Sequence, residues 1–210
     1  VSNKRTASNK RTASNKRTAS KYAISHKLPI SNVYTTEDYN STDGMLTSVW
    51  GPSMWHCLHT MSFNYPVNPN CNQKKQYRDY ILSLRHVLPC GKCRKNLCKN
   101  FSKLPLLMHH MESRKTFSTY IYNLHEVVNK MLNKKSGLSY DEVRERYEHF
   151  RARCAKSLKR TRKLLSEKGC TESLYGEKSK CILQIVPENT KCETFQIDEK
   201  CMKKPLSAFI

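Results

Sequence analysis

The chain has 210 residues, ten of them cysteine, and a formal charge of +21 from 38 basic and 17 acidic residues. That length accommodates one domain of ordinary size with appendages. No secretory leader or bilayer-length apolar run is read in it, so a secreted disulfide module and a membrane-spanning protein are not expected. Ten thiols kept in a reducing compartment point to metal binding, to redox work, or to a protein that generates its own oxidising chemistry.

In chain order, Ser-Asn-Lys-Arg-Thr-Ala occurs three times in residues 2–19, with no acidic or large apolar residue. Residues 1–21 therefore read as a disordered basic tail, which either contacts nucleic acid, serves as a nuclear address or stays solvated. Residues 22–45 read as a linker. A first helix is expected over residues 50–65, with Pro52 near its start, Trp55, Leu58, Met61 and Tyr65 on one face, and Pro66 as its stop. A second is expected over 73–88, where Tyr77, Tyr80, Ile81, Leu84, Val87 and Leu88 form the apolar stripe. A short third runs over 90–101. The strongest amphipathic pattern, in residues 117–134, predicts a fourth helix capped by Thr116. Ser139 and Glu142 have capping-box spacing and open a fifth with Val143, Tyr147 and Phe150, whose expected continuation is the basic stretch to Gly169.

These elements predict an all-α fold, a four-helix bundle plus a fifth short helix. The basic extension, with Arg153, Lys156, Lys159, Arg160, Arg162 and Lys163, reads as a surface for nucleic acid or another anionic partner, or as a solvated helix face. From Cys170 the character changes. Cys170, Cys181, Cys192 and Cys201 are evenly spaced, residues 182–186 and 194–197 look strand-like, and a hairpin is expected about Pro187. A small cysteine-stapled appendage is the expectation for residues 170–210, with three pairings open.

The run Pro89, Cys90, Gly91, Lys92, Cys93 places a Cys-x-x-Cys pair immediately after a helix stop. A cysteine opening a helix faces unpaired N–H groups and the positive end of the helix dipole, which favour its thiolate. Two intervening residues let the sulfurs pair as a disulfide. The same spacing, with Cys98 as a third thiol, also suits half of a zinc site whose other half must come from elsewhere. On spacing alone the two readings stay open. A thioredoxin-like protein fits less well, because the residues before Pro89 have helical periodicity where that fold needs a strand.

Three segments taken together resemble a known family. WGPSMWHCLHTMSFNYP at 50–66, PCGKC at 89–93 and NLHEVVNKMLNK at 123–134 resemble, in order and separation, the Erv/ALR flavin-linked sulfhydryl oxidases. The resemblance covers residues 46–154, and YEHFRARC at 147–154 is most like the versions encoded by large cytoplasmic DNA viruses. It implies a helical bundle holding FAD beside the Cys pair, with Cys90 exchanging with substrate and Cys93 next to the flavin. It implies cofactor contacts from Gly51, Trp55, His59, Asn123, His125, Asn129, Lys134, Arg146 and Tyr147, and no metal. Tyr147 stands where the family often has tryptophan, and Glu126 where asparagine is expected. The implied partners are protein dithiols, such as a thioredoxin-like relay or virion proteins, together with O2 and a second copy in a homodimer. The implied location is the host cytoplasm, a viral factory or the virion, and nonspecific nucleic-acid contact falls to the basic segments. The competing expectation is a basic viral protein that binds zinc and nucleic acid without catalysing anything.

Overall fold

The computed structural model describes residues 34–152, 170–193 and 195–204. The basic repeat at 1–21 and the basic stretch at 153–169 lie outside the described residues. The chain divides into two units, residues 1–42 and 43–210. In the first, a single helical turn, α1 (Thr36–Tyr39), is capped reciprocally by Thr35 and Asp38 and buries no residue.

The second unit contains α2 (Thr47–Phe63), α3 (Cys71–Val87), α4 (Gly91–Lys103), α5 (Arg114–Met131) and α6 (Tyr140–Glu148), with 3-10 turns at Met108–Met111 and Glu199–Cys201. Among the described residues the only β pairing is one isolated bridge between Ala152 and Ser173, so the expected all-α class holds. α2 packs along α5, α3 against α4, and α6 across α2. Their shared core includes Leu58, Ile81, Leu84, Leu97, Phe117, Ile121 and Leu124, all buried. Full burial of such a side chain stabilises by about 1.5–3 kcal/mol. The buried tyrosines keep their hydroxyls satisfied. Tyr65 donates to the Met111 carbonyl and Tyr120 to the Leu104 carbonyl, both at 2.9 Å. These bonds tie the α4–α5 connection to the bundle.

Helix starts differ from the sequence expectation where a cap lies upstream of the apolar stripe. α3 begins at Cys71 because Asn70 and Gln73 form a capping box. α5 begins at Arg114 because Ser113 caps it and Thr116 is its reciprocal partner at N3. α2 starts one turn before Trp50, with no side-chain cap, which leaves Pro52 inside the helix. Because Pro52 has no N–H, the Ser48 carbonyl lacks its usual helical donor. The extra turn is held by Trp50, whose Nε1–H donates to the Met45 carbonyl at 3.0 Å.

The fifth helix does not run on through Phe150. α6 stops at Glu148, and Arg151 turns back to donate to the Phe63 carbonyl at 2.6 Å and to Glu148 at 2.7 Å. The C-terminal segment also departs from expectation. Residues 182–186 form no strand, and Ile182, Leu183 and Ile185 are more than 70% exposed. At Pro187 there is a turn, closed by Thr190 N–H on the Pro187 carbonyl at 2.9 Å, with no hairpin. Cys181, Cys192 and Cys201 are free thiols. Cys170 is disulfide-bonded, and to none of these three. The expected stapling of the four cysteines to one another is therefore not observed. The segment is held by other means: Leu174 N–H donates to the Arg151 carbonyl at 2.7 Å, and Lys203 N–H donates to His149 Nδ1 at 3.0 Å.

Candidate active site

Cys90 is the N-cap of α4, and its sulfur accepts the Cys93 N–H at 3.3 Å. The sequence expectation of a thiol at a helix start is met directly. Both cysteines are free thiols and half-buried, but their surroundings differ. Cys93 packs against the hydrophobic core. Cys90 has its thiol held below the usual range, first by the hydrogen bond from the Cys93 thiol and then by the Cys93 N–H. Burial pushes the Cys93 thiol up. In the reduced pair the outer sulfur is thus the better thiolate and the inner one stays protonated.

A short loop lies against this pair. Met45 N–H donates to the Pro89 carbonyl at 2.8 Å, and a Cβ on Gly44 would come to 2.8 Å from that carbonyl oxygen and 3.1 Å from Cys90 Cα. Only glycine fits there without moving backbone. On the inner side, Thr47 Oγ1 lies 3.6 Å from Cys93 Sγ. Neither Gly44 nor Thr47 stands out in the sequence, because the α2 turn that carries Thr47 has no capping signal.

Thr47, Gly51, Trp55 and His59 follow at four-residue intervals on α2, a stripe that runs about 18 Å along the helix. At its far end Trp55 stacks on His125 of α5, with ring centroids 4.0 Å apart and planes 8° from parallel. His59 Nε2 and His125 Nδ1 share a hydrogen bond at 3.0 Å. Burial holds the His59 ring down to a pKa of about 3, helped by His125 and His56, and holds His125 down to about 4. Both rings are therefore neutral at pH 7, which also supplies the lone pair that their mutual bond needs on one of them.

The other predicted contacts divide. Tyr147 joins the aromatic group: its hydroxyl is 3.3 Å from His56 Nδ1, and its ring lies 5.4 Å from both His59 and Phe63. Burial raises the Tyr147 hydroxyl to about 12, which keeps it neutral. Asn129 is on the same helix face as His125 and donates to Glu126 at 2.9 Å, so the unexpected glutamate is engaged within α5. Lys134 lines an open hollow of about 620 Å³ at the end of α5, with Glu126, Lys130 and Asn133. Asn123 and Arg146 are exposed, and neither is brought to the Trp55–His125 stack. Sequence reasoning missed His56, which holds Tyr147, and Phe195, whose ring from the C-terminal segment lies 5.6 Å from His56 and 6.3 Å from Tyr147.

Two features fit a flat ligand with polar edges along the stripe. His59 Nδ1 is buried with no partner, and a Cβ on Gly51 would meet only Thr47 Cγ2, at 3.7 Å, so the helix surface is open there. Among the described residues no group of three or more His, Cys, Asp or Glu side chains is arranged to hold a metal ion. A polarised dithiol capping one helix, set against a stripe of rings on another, defines a helical-bundle dithiol oxidoreductase.

The Erv1 / Alr family model matches residues 52–148. A probable FAD-linked sulfhydryl oxidase of Acanthamoeba polyphaga mimivirus is 37% identical over 99 residues, 47% of this chain and 68% of that protein. The FAD-linked sulfhydryl oxidase of an African swine fever virus isolate is 33% identical over 47% of this chain and 80% of its own length. The crystal structure of the yeast Erv1 core aligns with a TM-score of 0.46 and 25% identity, over 57% of this chain and 94% of that one. This chain belongs to the Erv1/Alr family.

Proposed function

We propose that the protein is a flavin-dependent sulfhydryl oxidase, which oxidises protein dithiols to disulfides and passes the electrons through Cys90 and Cys93 to FAD and then to O2, giving H2O2. The observation that carries this reading is the α4 dithiol, polarised between an acidic outer and a protonated inner sulfur, in contact through Thr47 with the α2 stripe that ends in the Trp55–His125 stack. When bound, the flavin supplies the two-electron acceptor and the reaction with oxygen.

The chain's own part is thiol exchange and positioning. With the pair oxidised, a substrate thiolate attacks Cys90 Sγ, the bond between Cys90 and Cys93 breaks, and Cys93 leaves with the electron pair. The second substrate thiol attacks the mixed disulfide and Cys90 leaves as a thiolate. The substrate is then oxidised by two electrons, and the pair holds those electrons as a dithiol. Cys90 is suited to leave because its sulfur accepts the Cys93 N–H at the helix start. Trp55, His59, His125 and Tyr147 provide a dry, neutral wall for the ring systems, with Gly51 giving room. Asn129 and Lys134 extend these contacts toward the C-terminal end of α5, while the two further residues the resemblance implies, Asn123 in the middle of α5 and Arg146 on α6, stand exposed and away from the stack.

The working unit is residues 46–154, acting as a homodimer in the host cytoplasm or a viral factory. The tail and the 155–169 extension contact nucleic acid nonspecifically, and virion proteins or a thioredoxin-like relay present the dithiols. No helix among the described residues is long and apolar enough to cross a membrane. The zinc-binding alternative is not favoured, since the relatives are oxidases and Cys98 is exposed. Flavin and zinc quantification with oxygen uptake on dithiothreitol tests the choice. Stoichiometric flavin with thiol-dependent oxygen consumption is expected; colourless, zinc-loaded, inactive protein would contradict it.

A further inference from the structure

The helix that carries the dithiol also carries an unbalanced charge. Residues 80–111 contain no acidic residue, while Arg85, Lys92, Arg94, Lys95, Lys99 and Lys103 fall within them. Four of these, Lys92, Lys95, Lys99 and Lys103, follow at intervals of three, four and four, which places them on one face of α4. All four are exposed, and none is in an ion pair among the described residues. The nearest acid along the chain before this stretch, Asp79, is paired with Lys75.

Such an arrangement works against the helix. Lysines three and four apart on one face repel each other, and Lys92 in the first turn opposes the positive end of the helix dipole. A merely solvated face has no need of this, since mixed charges solubilise a helix equally well. Lys92 stands between the two reactive cysteines in the sequence, and the stripe runs about 16 Å along the side of α4 that faces away from buried Leu97 and Phe101. A partner lying along it and ending at the α4 N-terminus, where Cys90 is the half-exposed cap residue, would be in place to present a thiol to Cys90. Nucleic acid would gain the same charge contacts but has no thiol to offer.

We infer that the lysine face of α4 is the docking surface for the substrate, and that it selects protein dithiols whose cysteines lie in acidic segments. The inference deepens the oxidase reading and rests on it. The acidic segment lies along Lys95, Lys99 and Lys103 while its cysteine exchanges at Cys90. A unipolar surface of this kind raises association rates and loses its effect as salt rises.

The test uses the full-length flavin-loaded protein and two peptide dithiols of equal length, identical except that the residues flanking their cysteines are glutamate in one and lysine in the other. Oxygen uptake should give kcat/KM at least ~10-fold higher for the acidic peptide at low ionic strength, with the gap closing at high salt. The exposed-site variant Lys95→Glu/Lys99→Glu should reverse the preference while leaving dithiothreitol turnover unchanged; Lys95→Gln/Lys99→Gln should abolish it. Equal rates on both peptides, or a preference indifferent to salt, would overturn the inference. So would a result in which a labelled DNA duplex loses binding to the Glu variant while peptide preference is unmoved, because the face would then serve nucleic acid. Wild-type protein that fails to oxidise dithiothreitol would remove the oxidase reading itself, a failure distinct from the loss of charge preference alone.

Discussion

The two ends of the α2 stripe meet opposite physical demands. At the Thr47 end the sulfurs are half-exposed, Cys90 caps a helix N-terminus, and the helix that follows carries lysines in no ion pair among the described residues, so that a thiolate can form and be reached. At the His59 end the rings pack together, with His59 and Phe63 buried and Trp55, His125 and Tyr147 half-buried: two neutral histidines share one hydrogen bond, and Trp55 covers one of them. Exchange needs charge and access, whereas cofactor retention needs dryness and fixed ring planes. In the proposed reading one helix serves both, because Gly51, between the two ends, leaves its surface open.

The most severe way to break this division is at the sulfurs. Cys93→Ser and Cys90→Ser are each expected to lower dithiothreitol-driven oxygen uptake by on the order of 10³-fold or more, with flavin content unchanged, since residues that act as a unit fail together. Oxygen-electrode rates and cofactor absorbance on the same samples check this.

At the opposite end His125→Ala removes the stack on Trp55 and strands the buried His59 ring. It should cost about 2–4 kcal/mol in chemical denaturation and shed flavin on dialysis, while leaving the thiol reactivity of Cys90 intact. Flavin retention equal to wild type would detach the histidine end from cofactor binding.

The charge state of the histidine pair gives a pH signature. Both rings titrate near 6.5 when unfolded and at about 3 and about 4 when folded, so the unfolded chain binds more protons below pH 6.5. Stability is therefore intact above that pH and falls as the pH drops toward 4. At pH 5 the loss is on the order of 2 kcal/mol per ring at most. Glu148, whose carboxyl is held low first by its hydrogen bond to Arg151, adds its loss only below the ordinary carboxylate range. Thermal midpoints measured across this window should slope downward with acid, and His125→Gln should flatten the slope.

Smaller effects sharpen the comparison. Gly44→Val forces the 43–46 loop off Pro89 and Cys90 and should cost about 1–3 kcal/mol, with slower exchange at Cys90 and unaltered flavin binding. Tyr147→Phe deletes only the hydroxyl bond to His56, about 0.5–1.5 kcal/mol, read as a small shift in denaturation midpoint.

The parts legible in the sequence are those whose signals are local. Cys90 is a helix cap because Pro89 stops one helix and α4 begins directly after it, and Ser139 with Glu142 opens α6 as their spacing indicates. Trp55, His59 and His125 were readable through helical periodicity and the family resemblance, since their convergence follows from packing α2 on α5. Long-range facts were hidden. Ser113 and Thr116 are both capping residues, and only the reciprocal bond shows which caps. Thr47 became visible only with an extra turn that no cap announces. Phe195 reaches Tyr147 through an irregular segment with no periodicity, and the β-branched run at 182–186 finds no strand to pair with.

In the proposed mechanism the sulfurs of Cys90 and Cys93 deliver electrons to a flavin held on the α2–α5 stripe. Anaerobic mixing of the purified protein with excess dithiothreitol, followed in the visible flavin band, tests it most directly. The account predicts rapid bleaching in the wild type and a flavin that stays oxidised in Cys93→Ser; bleaching at the wild-type rate in Cys93→Ser, or no flavin band to bleach, would contradict it.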